Sequence, residues 1–178
     1  MSAETKFFAE TESAHPVVSM GPPELRDGAA LWQLARDSGS LDLNSSYSYL
    51  LWCRDFAATS IVARDHDSRV LGFVTGYVRP GLPDTLMVWQ VAVAESARGH
   101  GLATRMLTAL MRRRVPHGQT RLETTITLDN SASIALFTAL GREHGAGVSR
   151  TELFRAALFP DGHADEVLFR VGPFTAAA

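Results

Sequence analysis

The sequence predicts an α/β domain in which a mixed central sheet carries helices on both faces. Three observations point there. β-prone segments come first and then alternate with helical ones, strand-helix-strand-helix-strand, the order of a sheet with crossover helices. The run Val91-Ala92-Val93-Ala94-Glu95-Ser96-Ala97-Arg98-Gly99-His100-Gly101-Leu102-Ala103 passes from a strand through two glycines into an amphipathic helix. A chain of 178 residues, 46% of them hydrophobic, also suffices for one domain with a substantial core.

In chain order, residues 1–14 are rich in Glu, Thr and Ser and read as a disordered tail, leaving residues 15–178 as the domain. Val17–Met20 suits an edge strand. Pro22-Pro23-Glu24 opens a helix whose apolar positions Leu25, Ala29, Leu31, Trp32, Leu34 and Ala35 lead to Ser38, with Gly39-Ser40 as its stop. Asp42-Leu43-Asn44-Ser45-Ser46 is capping material ahead of a short helix over Tyr47–Phe56. Thr59–Ala63 and Val70–Val78 are β-rich, and the turn-forming residues 64–69 join them as a hairpin. A proline-stiffened loop, Arg79–Asp84, precedes a strand over Leu86–Val93. In the helix after the glycines, Leu102/Ala103, Met106/Leu107 and Leu110/Met111 recur at helical spacing. Arg112, Arg113 and Arg114 suit its C-terminal dipole, and Pro116 and Gly118 end it. Arg121–Leu128 is the next strand, Ser131–Leu140 a helix and Val167–Val171 the closing strand. No boundary is drawn between Arg142 and Asp165.

Composition excludes several function classes. The net charge is −2, from 17 basic and 19 acidic residues, and the one basic run, Arg112–Arg114, has no aromatic interleaving, so nucleic acid is not an expected partner. No stretch approaches the ~20 apolar residues that span a bilayer. The first twenty residues lack the apolar core of a secretory leader, which leaves the cytoplasm as the expected compartment and no membrane partner. Cys53, the single cysteine, forms no internal disulfide and reads as buried filler. No His, Cys and carboxylate cluster has metal-ligand spacing, so no metal is expected.

The glycine turn carries the chemistry. A helix that starts there presents first-turn N–H groups with no intrahelical partner, and its dipole favours negative charge, so the turn suits a phosphorylated ligand. A Walker-type loop needs Lys and Ser or Thr after the second glycine, where this chain has Leu102 and Ala103. A dinucleotide fingerprint needs a third glycine and a later acid. Arg98, Gly101 and Ala103, in that order, instead resemble the acetyl-CoA signature of the GNAT superfamily of N-acetyltransferases, and Asn130-Ser131-Ala132-Ser133-Ile134-Ala135-Leu136-Phe137-Thr138-Ala139-Leu140-Gly141 resembles its second cofactor motif. The resemblance implies the acetyltransferase (GNAT) fold, with the fourth and fifth strands splayed to admit a thioester, and acetyl-CoA as co-substrate. It assigns to the cofactor Val91 and Val93 on the strand, Arg98, Gly99, His100, Gly101, Leu102 and Ala103 around the pyrophosphate, and Asn130 and Phe137 beside the pantetheine and thiol. His100 acts there through its backbone.

Four further stretches, Leu41–Leu50, Cys53–Phe56, Val88–Val93 and His163–Arg170, resemble the L-2,4-diaminobutyrate acetyltransferases of ectoine biosynthesis. That family resemblance implies acetyl transfer to the γ-amine of L-2,4-diaminobutyrate, and a homodimer. A diamino acid brings two ammonium groups and one carboxylate. Asp42 and Glu166 are the expected partners of the ammonium groups, Asn44 and Tyr47 the expected donors to the carboxylate, and Trp89 offers a ring face to a cation. Strand alternation places Trp89 and Gln90 on opposite faces, so that only one of them meets the substrate, and turns Glu123 outward. Many relatives keep a carboxylate on the fourth strand to accept the amine's proton, but Trp89-Gln90-Val91-Ala92-Val93 contains none. Asp42, Glu123, Glu166 or water are left. Phe137 stands where relatives often place a tyrosine to protonate the thiolate, which leaves Tyr47, Tyr49, a water or a backbone donor. A backbone N–H within Gln90–Val93 is expected to support the developing oxyanion. His117, His144 and His163 read as surface residues. Two other readings stay open from sequence alone: a GNAT enzyme for another small amine or a protein lysine, and a non-catalytic acetyl-CoA-binding sensor.

Overall fold

A computed structural model of the chain describes residues 19–39 and 41–175. The expected tail over residues 1–14, the start of the expected edge strand at Val17 and Val18, and Ser40 lie outside these residues. The strands are β1 (Ser19–Gly21), β2 (Ile61–Arg64), β3 (Val70–Arg79), β4 (Leu82–Val93), β5 (Arg121–Thr127), β6 (Gly147–Phe154) and β7 (Glu166–Gly172). The helices are α1 (Gly28–Ser38), α2 (Ser46–Asp55), α3 (Leu102–Arg114) and α4 (Ser131–Glu143). All seven strands form one sheet in the order β1-β2-β3-β4-β5-β7-β6. Among the described residues only β4 and β5 run parallel, joined by the crossover helix α3.

Neighbouring residues of the strands feed two separate cores, as pleating requires. Ile61, Ala63, Val74, Leu86, Val88, Leu122 and Ile126 pack with Met106, Leu107 and Leu110 of α3 and with Phe137 and Leu140 of α4. Val62, Phe73 and Ala92, on the other face, pack with Leu31 and Ala35 of α1 and with Tyr49 and Cys53 of α2. Burial pushes the Cys53 thiol up to about 11, which suits packing and not nucleophilic chemistry. In the basic run, Arg113 donates to the Ser60 and Ala58 carbonyls and Arg114 to Gln119, so these cations brace the end of α3 against the β2 side.

Two expectations are corrected at the level of elements. Residues 79–84 are not a long loop: β3 reaches Arg79 and β4 starts at Leu82, so Pro80-Gly81 makes a two-residue turn between long antiparallel strands. The unassigned stretch after Arg142 holds β6, an edge strand whose residues are all exposed. A strand that buries neither face carries no period-two hydrophobic pattern to read.

Two irregularities shape the centre of the sheet. The β4–β5 ladder holds only through Thr85↔Arg121, Leu86↔Leu122 and Met87↔Glu123, after which the two strands part. In the β3–β4 ladder Thr75 faces Gln90 and Gly76 faces Val88, so Trp89 is an extra residue, a β-bulge. Gly76 is required opposite it, because a Cβ there would lie 2.7 Å from the Met87 carbonyl oxygen. The bulge breaks the expected alternation. Trp89 stacks on Trp52 of α2, with ring centroids 6.3 Å apart, and Gln90 hydrogen-bonds Tyr49 of the same helix. Both side chains therefore lie on the α2 face.

Glu123 marks the apex of the split. It is not turned to solvent: its side chain is 0% exposed and held by Arg79 of β3 at 2.6 Å and by Arg170 of β7 at 2.6 Å. Its two carboxylate oxygens are both taken up by arginines. The triad ties three strands together where the ladder ends, so Glu123→Gln is expected to lower the unfolding free energy by about 2 kcal/mol, below the usual figure for a broken buried pair because both arginines reach water. An unchanged urea midpoint would show that the triad does not hold the apex.

Candidate active site

The turn between β4 and α3 has the form of an anion cradle. Gly99 and Gly101 take φ of 81° and 67°, in the left-handed region that favours glycine. A Cβ at either would meet no atom within 4 Å, so this backbone lies open to an approaching ligand. Gly101 caps α3 with no side chain satisfying the first-turn donors, and Arg105 N–H is the first to bond back, to Gly101 O. Leu102 is buried as an anchor of that turn and Ala103 half-buried beside it. Arg98 donates its Nε to Val93 O at 3.1 Å, stapling the loop to the end of β4; His100 is exposed within the loop. Across the gap, Asn130 caps α4 by accepting from Ser133 N–H at 3.0 Å, and Phe137 is buried in the α3–α4 core. These residues fit acetyl-CoA: uncapped donors for phosphate, and a β4 edge that β5 no longer covers beyond Met87, along Val91 and Val93, for the amide-bearing arm.

On the opposite face of the split, three titratable groups converge that are far apart in sequence. His163 Nε2 lies 3.6 Å from Asp42 Oδ2 and 3.6 Å from Glu166 Oε1. Glu166, the first residue of β7, has a side chain only 16% exposed, and its Oε2 is buried with no hydrogen-bond partner. Burial raises its carboxyl above the ordinary carboxylate range, with Asp42 adding to the effect and Thr125 and His163 working against it. His163 is raised above its ordinary 6.5 by the Ala164 carbonyl and then by Glu166, Asp42 and Asp161. It is thus not a spectator on the surface, as its lack of sequence-spaced partners suggested.

Gln90 sets the loop that carries Asp42. The Tyr49 hydroxyl donates to Gln90 Oε1 at 3.0 Å, and Gln90 Nε2 donates to Asp42 O at 2.8 Å. Asn44 also contacts the Tyr49 hydroxyl. That bonding commits Tyr49 to architecture and holds Asp42–Asn44 over the bulge, while the Asp42 side chain itself remains 90% exposed. Tyr47, on the first turn of α2, is exposed. Trp89, half-exposed, keeps one ring face toward Trp52 and shares an apolar cleft with Trp52, Phe56 and Tyr77. The structure therefore brings Asp42, Glu166 and the unforeseen His163 together, places Trp89 in the neighbouring aromatic cleft, and leaves Glu123 at the apex with the arginines. Among the described residues, no group of three or more His, Cys, Asp or Glu is placed to hold a metal ion, and no helix is long and apolar enough to cross a membrane.

The chain is similar to known proteins in sequence and in fold. Residues 28–141 match the family model described as Acetyltransferase (GNAT) family. The L-2,4-diaminobutyric acid acetyltransferase of Streptomyces coelicolor is 58% identical over 156 residues, 86% of this chain and 92% of that protein. Its namesake from Streptomyces anulatus is 52% identical over 177 residues, 98% of this chain and 99% of that protein. Among solved structures, the diaminobutyrate acetyltransferase EctA from Paenibacillus lautus, in complex with its substrate L-2,4-diaminobutyric acid and coenzyme A, is similar at a TM-score of 0.83 and 43% identity, covering 92% of this chain and 99% of that one. The ribosomal-protein-S18-alanine N-acetyltransferase from Escherichia coli, at 17% identity and a TM-score of 0.68, shares the fold. Over nearly its whole described length, then, the chain belongs to the acetyltransferase (GNAT) family, among the L-2,4-diaminobutyric acid acetyltransferases.

Proposed function

We propose that this chain transfers an acetyl group from acetyl-CoA to the γ-amine of L-2,4-diaminobutyrate, giving N-γ-acetyl-L-2,4-diaminobutyrate, as a step of ectoine biosynthesis. The observation that carries this reading is the buried, unpartnered Glu166 Oε2 beside His163 and Asp42, at the open end of the split strands. A buried acceptor without a donor is costly on its own and becomes favourable when an ammonium group reaches it. A protein lysine or a larger amine would need an open groove in place of this recessed carboxylate.

Bound acetyl-CoA supplies an activated acetyl group and a thiolate leaving group. The backbone of Gly99–Ala103 and the first turn of α3 hold its phosphates, with Arg98 fixing the loop and His100 contributing its backbone; Val91, Val93, Asn130 and Phe137 border its arm. The γ-amine must attack neutral, yet an alkyl ammonium near 10.4 is protonated at neutral pH, a deficit of roughly 3 pK units or ~4 kcal/mol. His163 and Glu166 supply the acceptor. Glu166, raised by burial, is a better base than a solvated carboxylate, and His163 in its neutral form takes the proton directly or through water. Asp42 holds the second ammonium group, Trp89 offers its free ring face, and Asn44 and Tyr47 complete the wall of the pocket. Tyr47 is the assigned donor to the departing thiolate. The enzyme works in the cytoplasm as a homodimer; the exposed edge strand β6, with Val148, Leu153 and Phe154 exposed, supports self-association, since an unpaired strand edge is a template for another chain.

Thiol release from acetyl-CoA in the presence of L-2,4-diaminobutyrate tests the activity and separates an enzyme from a cofactor sensor. Glu166→Gln is expected to lower kcat/KM for diaminobutyrate at least about a hundredfold, because removing one partner of a buried charged pair costs ~2 to 5 kcal/mol and ~1.4 kcal/mol is tenfold. Asp42→Asn should cost less than about tenfold, since its exposed carboxylate is screened by water. Neither change should move the KM for acetyl-CoA, and 4-aminobutyrate, with one amine, should be a poor acceptor. Full activity in both variants, or equal use of 4-aminobutyrate, would remove the carboxylate pocket.

The pH profile tests the proton acceptor. Because the His163 pKa is raised, its protonated form persists above the ordinary 6.5 and cannot accept the amine's proton, so kcat/KM should rise as pH rises through that displaced pKa. His163→Gln should flatten this limb while the protein stays folded. A limb that survives the substitution would assign it to another group.

A further inference from the structure

The apex triad has one arginine more than its carboxylate needs. Glu123 accepts Arg170 Nε at 2.7 Å and Nη2 at 2.6 Å on Oε1, and Arg79 Nη1 at 2.6 Å on Oε2. A single bidentate arginine would neutralise it; two leave the cluster with a net charge of +1. Both guanidinium groups are partly open, with side-chain exposures of 38% for Arg79 and 43% for Arg170, and among the described residues their remaining N–H groups have no acceptor. Glu123 itself is sealed beneath them.

The position of this surplus charge is informative. Glu123 and Thr125 share one face of β5, and Glu166 lies beside the Thr125 hydroxyl on that same face. Glu166 stands opposite Thr127 and Arg170 opposite Glu123, four residues or about 13 Å apart along the strand, a gap that a short molecule spans with a contact of about 3 Å at each end. One face of the sheet therefore carries an acidic group, Asp42 and Glu166, at the open end and a basic group four residues further along β7, at the closed apex of the β4–β5 split. A diamino acid has the same polarity: its reacting amine and its carboxylate carbon are four single bonds apart, roughly 5 Å when extended. Guanidinium groups already fixed by Glu123 lose little freedom on meeting a carboxylate and match its planar geometry.

We propose that Arg170 and Arg79, held by Glu123, form the subsite for the α-carboxylate of the substrate and so select an amino acid over a plain diamine. Glu123 is the positioning residue, and the arginines are the groups that touch the substrate. This rests on the diaminobutyrate reading above.

The test compares L-2,4-diaminobutyrate with 1,3-diaminopropane, which keeps both amines and lacks the carboxylate. The wild-type enzyme should prefer diaminobutyrate by at least thirtyfold in kcat/KM. Arg170→Gln should cut that preference at least tenfold, chiefly through the KM for diaminobutyrate, with the KM for acetyl-CoA unchanged. If Arg170→Gln does not fold, Arg79→Gln reads the same ratio, since Arg170 still pairs with Glu123 there. A purely structural triad would lower both acceptors in proportion and leave the ratio intact, which overturns the subsite while the diaminobutyrate reading stands. A wild-type enzyme that acetylates diaminopropane as well as diaminobutyrate overturns it too. Failure of the wild type on both acceptors, with acetyl-CoA bound, overturns the substrate reading and the subsite with it.

Discussion

One inserted residue organises the functional face of this molecule. Trp89 is extra in the β3–β4 ladder, and the strand parity changes across it: Val88 packs into the α3–α4 core, whereas Gln90 turns to α2. Without the bulge, Gln90 would alternate toward the apolar core, where its amide would lose both partners, an unsatisfied group worth ~1 to 3 kcal/mol. With it, Trp89 and Gln90 share one face. The carboxamide joins Tyr49 of α2 to the backbone of Asp42, so the bulge in the strand and the loop above it become one unit. The same region of β4 has lost β5 as a neighbour, which leaves backbone groups open beside the residues that Gln90 organises.

The splay sorts its charges from end to end. At the apex, where β4 and β5 still pair, a buried glutamate is covered by two arginines. At the open end, an aspartate and a recessed glutamate flank a histidine. Buried charges are tolerated when paired, and Glu123 meets that condition fully. Glu166 meets it only in part, with one oxygen orphaned. The two glutamates thus do different work on neighbouring strands of one sheet. Glu123 is saturated and holds the strands; Glu166 keeps an unused acceptor and a raised pKa, the properties of a group waiting for a proton donor.

Much of the architecture was legible because it is written in local periodicity. The α3 stripe from Leu102 to Met111, the helix stop at Gly39 and the β-rich runs all follow rules that act over a few residues, and the cofactor motif has fixed spacing. What escaped depends on contacts between distant segments. Glu123 reads as one more exposed alternate position until Arg79 and Arg170, 44 and 47 residues away, are folded over it. His163 has no partner at helical or strand spacing, because its neighbours Asp42 and Glu166 come from a loop and from β7. Trp89 and Gln90 were placed by strict alternation, and a bulge is the feature that alternation does not encode. A glycine at Gly76, facing a bulky residue on the next strand, was the one available hint.

The account stands or falls on whether Gln90 presents Asp42 to the substrate, and a double-mutant cycle measures that directly. Gln90→Leu, Asp42→Asn and the double variant are compared by kcat/KM for L-2,4-diaminobutyrate, with the KM for acetyl-CoA as the internal control. If the bulge positions the loop through Gln90, the double variant should be no worse than the poorer single variant, a coupling of about 1 kcal/mol between two groups joined by one hydrogen bond. Losses that simply multiply, with folding intact, would mean that Gln90 and Asp42 act independently and that the bulge does not build the substrate pocket.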